Sequence, residues 1–453
     1  MIRLMRDADT DVRLAALSAA GDVRSPRLWP QVIQHLATTR FHPYAAKALV
    51  RAGDRALQPI GEVLRSDDFG REVKARSASI CGRIGGEAAQ ALLVTHMGYS
   101  DQNVRRSVLT SLHQCGFKAT GVNLVDVRRL LRQEISEVAW RLAVHADLES
   151  IESCQLLVRA VAYEADEARR RIFLLLSFVY DSRTILRAEE NLSCSSQQRA
   201  YALEVLETTL SGDLRRLVFP VLEWDRVQDR RTALGDAFPQ EAVGPEDRLS
   251  EILSEEEKWI SPWMQACALY ALKEVSASAS AAVAQAFFND AEPLVRETAL
   301  WVAGETEHLA ETSEGSLMLL TIERVLALRS VDLFSGVPEE VLAALAAVME
   351  EHEFQAGDPI YEKGATGRAM FFIIDGSVKV HDGDRTFVEL GEREFFGELT
   401  ILDPAPHSAT VSATEDVRLL GLDREALYEL MADHPEVLRK IIHELCDRLR
   451  RKR

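Results

Sequence analysis

The sequence predicts a multidomain chain: an all-α solenoid followed by an α+β jelly-roll barrel with flanking helices. Three observations predict it. The apolar anchors Val12, Tyr44, Val73 and Val104 recur about every 31 residues, the mark of a stacked helical repeat. After Glu351 the apolar spacing changes from helical to alternating, the mark of strands. The stretch Phe395–Val411 (FFGELTILDPAPHSATV) then reads as a strand end, a short helical turn, a proline-bracketed loop and a new strand.

Bulk composition bounds the function classes. With 453 residues and 47% hydrophobic side chains, the chain is globular and too long for one ordinary core. A net charge of −18 and a pI near 5.2 argue against a nucleic-acid partner. The basic tail Arg448–Arg453 is a local exception; a solvated helix end is the simpler reading and a DNA or lipid patch the alternative. Six cysteines stand singly, with no CxxC and no Cys/His cluster, so no zinc site is expected and a reducing, cytoplasmic setting suits them. Met1–Asp11 is charged and amphipathic, unlike a signal peptide. The most apolar run, Ile172–Tyr180, falls short of the ~20 residues of a membrane span.

The first part repeats itself. Segments beginning at Asp11, His42, Glu72 and Asn103 each carry Ala and Leu at helical spacing and run on to Gly21, Gly53, Gly82 with Gly85, and Gly116, glycines suited to a helix C-terminus. Second helices lie between them, at Arg27–Ala37 and Ala56–Arg65. The unit resembles the HEAT repeat, whose pattern is D-x-x-V-R-x-x-A-x-x-A-L-G, and the pattern recurs at Pro293–Leu300 with Gly304. The resemblance implies that the anchor heading each helix points into a shared core, and that the recurrent Arg forms a stacking or ion-pair ladder.

The expected divisions are 1–234 for HEAT-like repeats, 235–262 for a loop-rich insertion or hinge, 263–315 for further repeats, 316–330 for a helical linker and 331–453 for the barrel domain. Between Gly121 and Leu222 the helical spacing persists while the repeat blurs; Asp166–Arg171 (DEARRR) sets acids before bases and reads as a solvated face. Trp259 and Trp263 flank Pro262 and are expected to anchor the next helices, an exposed aromatic patch being the alternative. In the barrel, Glu353–Asp358, Pro359–Glu362, Ala369–Ile374, Ser377–His381, Thr386–Leu390, Val411 and Val417–Leu422 supply short strands, with Asp-Gly turns at 375–376 and 382–383. A helix over Glu339–Glu351 precedes them, and helices over Asp423–Met431 and Pro435–Arg450 close the domain.

The chemistry concentrates in Phe395–Val411. Gly397 allows close backbone approach, Glu398 can accept from sugar hydroxyls, and free N–H groups at a helix start can hold an anion. Pro404 and Pro406 stiffen the loop. This stretch resembles the phosphate-binding cassette of cyclic nucleotide-binding domains, written F-G-E-L, a variable loop, then P-R-S/T-A-T-V. The opening Leu333-Phe334-Ser335-Gly336-Val337-Pro338 and the glycines 357, 364, 376 and 397 resemble that family too. The resemblance implies a ligand site at Phe396, Gly397, Glu398, Leu399, His407, Ser408, Ala409 and Thr410, with Glu398 on the ribose 2′-OH and cyclic AMP or cyclic GMP as ligand. The chain departs from the pattern at one position, where His407 replaces the phosphate-pairing Arg. An Arg fork is always charged, and an imidazole is charged only part of the time near neutrality. Three readings stay open for His407: a substituted phosphate contact, a packing residue of a degenerate pocket, or a contact for another anion or a pH-sensitive contact. Arg368 is a candidate rim cation or a solvated loop residue.

No HExxH, GxSxG or Walker-type motif occurs, so no enzyme and no required cofactor is expected. The expected function is regulatory: a cyclic-nucleotide-type sensor with an altered phosphate site, coupled through Ser316–Gly336 to a solenoid that docks a protein, with Pro435–Leu449 as the lid. The alternatives are a scaffold with a non-binding barrel, or a regulatory tail. HEAT repeats before such a barrel, with Arg171–Asp181 and Gln198–Glu204, resemble the cytosolic tail of bacterial ATP/ADP translocase-like membrane proteins, which implies a transporter-like partner at the cytoplasmic face of the membrane. Transcription regulators with this barrel carry a helix-turn-helix after it; here the last expected helix ends beside Arg453, so that class is the weaker expectation.

Overall fold

The computed structural model describes residues 1–38, 40–222, 227–254, 259–305, 319–367, 369–402, 405–433, 438–443, 446 and 450. Arg368, Pro404, the first three residues of the expected linker, the start of the expected lid and most of the basic tail lie outside the described residues. The chain divides into two compact units, Met1–Met264 and Gln265–Arg453.

The first unit is helical throughout. Its helices are α1 (Thr10–Val23), α2 (Trp29–Gln34), α3 (His42–Ala52), α4 (Leu57–Arg65), α5 (Arg71–Ile84), α6 (Gly86–Val94), α7 (Gln102–Gln114), α8 (Val122–Leu148), α9 (Gln155–Val179), α10 (Ser182–Leu192), α11 (Ser196–Thr209), α12 (Gly212–Leu222), α13 (Val227–Gly235) and α14 (Pro245–Ile252). Asp9 and Asp101 cap α1 and α7, each accepting from backbone N–H groups of the first turn. Neighbouring helices pack in succession: α1 on α3, α3 on α5, α5 on α7, and α7 on α9. One continuous apolar core runs from Met5 to Phe238.

Two of the repeat glycines have a different role from the expected one. Gly21 and Gly82 lie inside α1 and α5, not at their ends. A Cβ on Gly21 would stand 2.9 Å from the Ala48 Cα, and one on Gly82 would stand 2.7 Å from the Ser111 Cβ. Their missing side chains let α1 approach α3 and α5 approach α7. The anchor rule also holds only in part, and the first anchor, Val12, is half-buried. Val73 and Val104 are buried, but Tyr44 is 40% exposed, because α3 buries Ala45, Ala48, Leu49 and Ala52 instead.

The expected solvated face at Asp166–Arg171 is only partly solvated: Arg170 is exposed, but Glu167, Arg169 and Arg171 are buried among charged partners. Arg171 is 1% exposed and its Nε donates to Glu134 on α8 at 3.0 Å. Arg105 of α7 meets Glu134 at 3.0 Å and Glu137 at 3.3 Å, and Arg141 meets Glu164 of α9 at 3.1 Å. Long α8 and α9 pack against each other and place these side chains between helices, where unpaired charge is costly and each finds a partner. Within 235–262, α14 lays the buried Arg248 on Asp147 at 2.6 Å. Trp259 meets the Trp140 ring edge-on at 4.8 Å, with the Arg141 guanidinium 4.6 Å from its centroid.

The second unit begins within α15 (Pro262–Val275) and continues through α16 (Ala277–Ala284), α17 (Pro293–Ala303), α18 (Thr321–Arg329) and α19 (Glu339–Ala346). Helix α19 is shorter than expected, because Glu350 already pairs with Gly421 as the start of a strand. The strands are β1 (Glu350–Phe354), β2 (Pro359–Tyr361), β3 (Ala369–Asp375), β4 (Val378–Asp382), β5 (Arg385–Leu390), β6 (Phe395–Phe396), β7 (Thr410–Ala413) and β8 (Val417–Asp423). They form two antiparallel sheets in the orders β1-β8-β3-β6 and β2-β7-β4-β5. Ile373, Val378, Val411 and Leu419 fill the space between them. Helix α20 (Glu398–Leu402) follows β6, and α21 (Arg424–Asp433) follows β8. Among the described residues, no helix is long and apolar enough to cross a membrane.

Candidate functional site

The site is built where β6 ends. Phe396 is buried on β6, and Gly397 turns the chain at φ 87°. A Cβ on Gly397 would lie 2.9 Å from the Ala369 carbonyl oxygen, so this residue must be small as well as left-handed. Glu398 opens α20 and is half-buried, while Leu399 is 61% exposed. Thr400 and Ile401 bury the inner face of the helix. Its last carbonyls are taken by α21: Arg424 Nε donates to Ile401 O at 2.7 Å, its second nitrogen donates to Thr400 O, and the Tyr428 hydroxyl donates to Leu402 O at 3.2 Å.

The returning strand places the rest. His407 is 6% exposed, Ser408 is exposed, Ala409 is buried, and Thr410 opens β7 with its Oγ1 accepting from the Lys363 N–H at 3.1 Å. Backbone bonds pin residue 407: its N–H donates to Ala365 O at 2.9 Å, and Gly364 N–H donates to its carbonyl at 2.8 Å. The His407 ring lies parallel to the Tyr361 ring with centroids 3.7 Å apart. Its Nδ1 is 3.1 Å from the Thr400 hydroxyl. Burial lowers the His407 pKa below its ordinary value, so the neutral ring is favoured. The Tyr361 phenol is pushed upward, first by burial and second by the Glu398 carboxylate.

The structure thus stacks His407 on Tyr361, whose phenol also feels the Glu398 carboxylate, and leaves Leu399 and Ser408 at the surface. Sequence reasoning missed Tyr361, Thr400, Gly367 and Arg424. Nothing in the local pattern distinguishes Tyr361 or Gly367 from an ordinary strand end and hairpin residue. A pocket beside α20 is lined by Glu398 together with apolar side chains that include Leu333, Met370, Phe395, Leu427 and Ile441. Among the described residues, no group of three or more His, Cys, Asp or Glu side chains could hold a metal.

The cyclic nucleotide-binding domain family model matches residues 351–434. Those residues are a cyclic nucleotide-binding domain. The domain is similar to part of a CRP-like cAMP-activated global transcriptional regulator of Mycobacterium tuberculosis, 33% identical over 124 residues, which is 26% of this chain and 55% of that protein. It is also similar to a cyclic nucleotide-gated potassium channel of Rhizobium etli, 37% identical over 112 residues, 25% of this chain and 31% of the channel. Among solved structures, the N-terminal domain of a Streptomyces coelicolor transcriptional regulator is 31% identical and overlays with a TM-score of 0.26, covering 29% of this chain and 92% of that one. The chain therefore spans about half the length of the regulator and a third of the channel. In all of these the likeness is confined to about a quarter of the chain.

Proposed function

We propose that the protein is a non-enzymatic regulator whose cyclic nucleotide-binding domain senses cyclic AMP or cyclic GMP through an altered phosphate site, and whose HEAT-like helices dock a protein partner. One observation carries the reading. Gly397 turns the chain at φ 87° just ahead of Glu398, while residue 407 is a buried imidazole stacked on Tyr361 and bonded to Thr400. In this reading Gly397 and Glu398 are the cradle, and His407 stands where the resemblance implies an arginine. Losing one charged hydrogen bond costs about 1.5–3 kcal/mol, so binding should be roughly ten- to a hundred-fold weaker than with Arg at this position. No catalytic step is assigned to any residue.

Calorimetry of the full chain with cyclic AMP and cyclic GMP tests this. Weak heats in the wild type that strengthen in His407→Arg support the sensor. A second reading, a scaffold whose barrel binds nothing, is favoured by the same stacked and buried ring. Silence from both nucleotides, in wild type and in His407→Arg, selects the scaffold. For the docking partner, the resemblance around Arg171–Asp181 favours a transporter-like membrane protein. Co-purification from membrane extracts with the full chain, and its loss on deleting residues 1–234, tests that choice.

A further inference from the structure

The sheet β1-β8-β3-β6 carries the cassette at one edge and the joint to the preceding helices at the other. Strand β6 runs directly into Gly397, and β1 carries Glu351 and His352. Three strand spacings separate those edges, about 14 Å. A run of rings spans the gap. His407 stacks on Tyr361 at 3.7 Å, Tyr361 meets Phe396 at 5.8 Å, Phe396 meets Phe371 at 5.5 Å, and Phe371 meets His352 at 5.5 Å. The run crosses β8 at Gly421. A Cβ there would stand 2.8 Å from His352 Nε2 and 3.2 Å from Phe371 Cε1, so rings from β1 and β3 meet over the strand between them only because that residue is glycine.

Side chains alternate along β1, so Glu351 faces away from His352 and toward the linker helix. Its Oε2 accepts from Leu319 N–H at 3.0 Å and lies 3.7 Å from Arg324, and its Oε1 lies 3.4 Å from Arg418 of β8. Buried Arg324, on α18, donates to the carbonyls of Leu319, Ala346 and Met349. The first N–H of α18, at Thr321, donates to Glu297 of α17 at 2.7 Å.

We propose that the ring run makes the seating of residue 407 and the seating of α18 one mechanical element, so that the cassette sets how firmly the linker holds the barrel and α17. Its use as a signal rests on the sensor reading; the coupling itself is a property of the ligand-free chain. Hydrogen exchange on the ligand-free full-length protein tests it. His407→Ala should speed exchange at Thr321–Leu328 by about three-fold or more. In a His352→Ala background, which cuts the run at its far end, the same substitution should leave that exchange unchanged. Lys363→Gln breaks an ion pair with Asp382 in the other sheet and should not reach α18. His407→Gln serves if His407→Ala does not fold. An α18 that ignores residue 407, or responds equally with and without the His352 ring, overturns the proposal. Calorimetry with cyclic AMP reads the sensor separately, so the two can fail independently.

Discussion

The imidazole of His407 lies flat on the phenol of Tyr361, with centroids 3.7 Å apart and planes within 10°. Residue 407 is thus held by β2 through the ring, by α20 through Thr400, and by the 364–367 hairpin through two backbone bonds and Gly367. A dry, stacked, hydrogen-bonded imidazole is a stable resting position for an uncharged ring. It is a poor place for a fixed cation.

Gly367 is part of that resting position. A Cβ there would lie 2.2 Å from His407 Nε2. Gly367→Ala should cost about 1–3 kcal/mol, the usual range for overpacking. In a His407→Ala background the same change should cost close to nothing. Urea unfolding of the four proteins gives both values, and equal costs in the two backgrounds would show that the imidazole is not what Gly367 accommodates.

The same burial sets a pH dependence. The folded His407 pKa lies below the ordinary imidazole value of 6.5, with burial as the cause. Between the folded and unfolded values the unfolded chain binds more protons, so stability rises with pH there. The contribution is complete above the unfolded value and is lost as pH falls through the folded one, with a slope of at most about 1.4 kcal/mol per pH unit for one proton. His42, lowered to about 4 by burial first and Arg76 second, adds a similar acid-side slope in the other unit. Comparing wild type with His407→Gln cancels that background. Unfolding midpoints of the variant should fall less between about pH 7 and pH 5; parallel curves would show that His407 titrates as it does in the unfolded chain.

The barrel was legible because alternation and Asp-Gly turns act locally, and β3, β4 and β5 fall where those signals put them. The stretch Phe396 to Thr410 was legible as a string of residues resembling a phosphate-binding cassette, but its geometry was not. Which way residue 407 faces depends on Tyr361, forty-six positions earlier by residue number, and no local pattern encodes that pairing. The Asp166–Arg171 segment failed for a related reason. Acids before bases along one helix look the same whether the opposite side is water or Glu134 of α8. Gly21 and Gly82 read as helix ends because the sequence shows a missing side chain but not the neighbouring helix that needs its absence.

That buried network makes its own prediction. Arg171 and Glu134 are 1% and 0% exposed and bonded at 3.0 Å. Removing one partner leaves buried charge short of a contact, so Arg171→Met or Glu134→Leu alone should cost about 3–5 kcal/mol. The double replacement should cost less than the sum by roughly 0.5–3 kcal/mol, the range found for residues in contact. Chemical unfolding of the first unit's helices, followed by circular dichroism, measures the cycle. Strict additivity would mean that Arg105, 3.0 Å from Glu134, and Gln102, whose Oε1 accepts from Arg171 at 3.0 Å, already satisfy the two groups without each other.

Arg424 gives the last test, because it joins α20 to α21. Its guanidinium donates to two carbonyls at the C-terminus of α20, those of Ile401 and Thr400. Hydrogen bonds from a charged donor contribute about 1.5–3 kcal/mol, so Arg424→Ala should destabilise the second unit by that amount. A lysine cannot serve two carbonyls with one planar fork, so Arg424→Lys should recover only part of the loss. Tyr428→Phe removes one neutral bond to Leu402 and should cost less, about 0.5–1.5 kcal/mol. Hydrogen exchange at residues 398–402 distinguishes this from a general loss of packing. If Arg424 fixes the cassette helix, exchange there rises several-fold more than in β3 or β8. A uniform rise across the barrel would place Arg424 among ordinary packing residues instead.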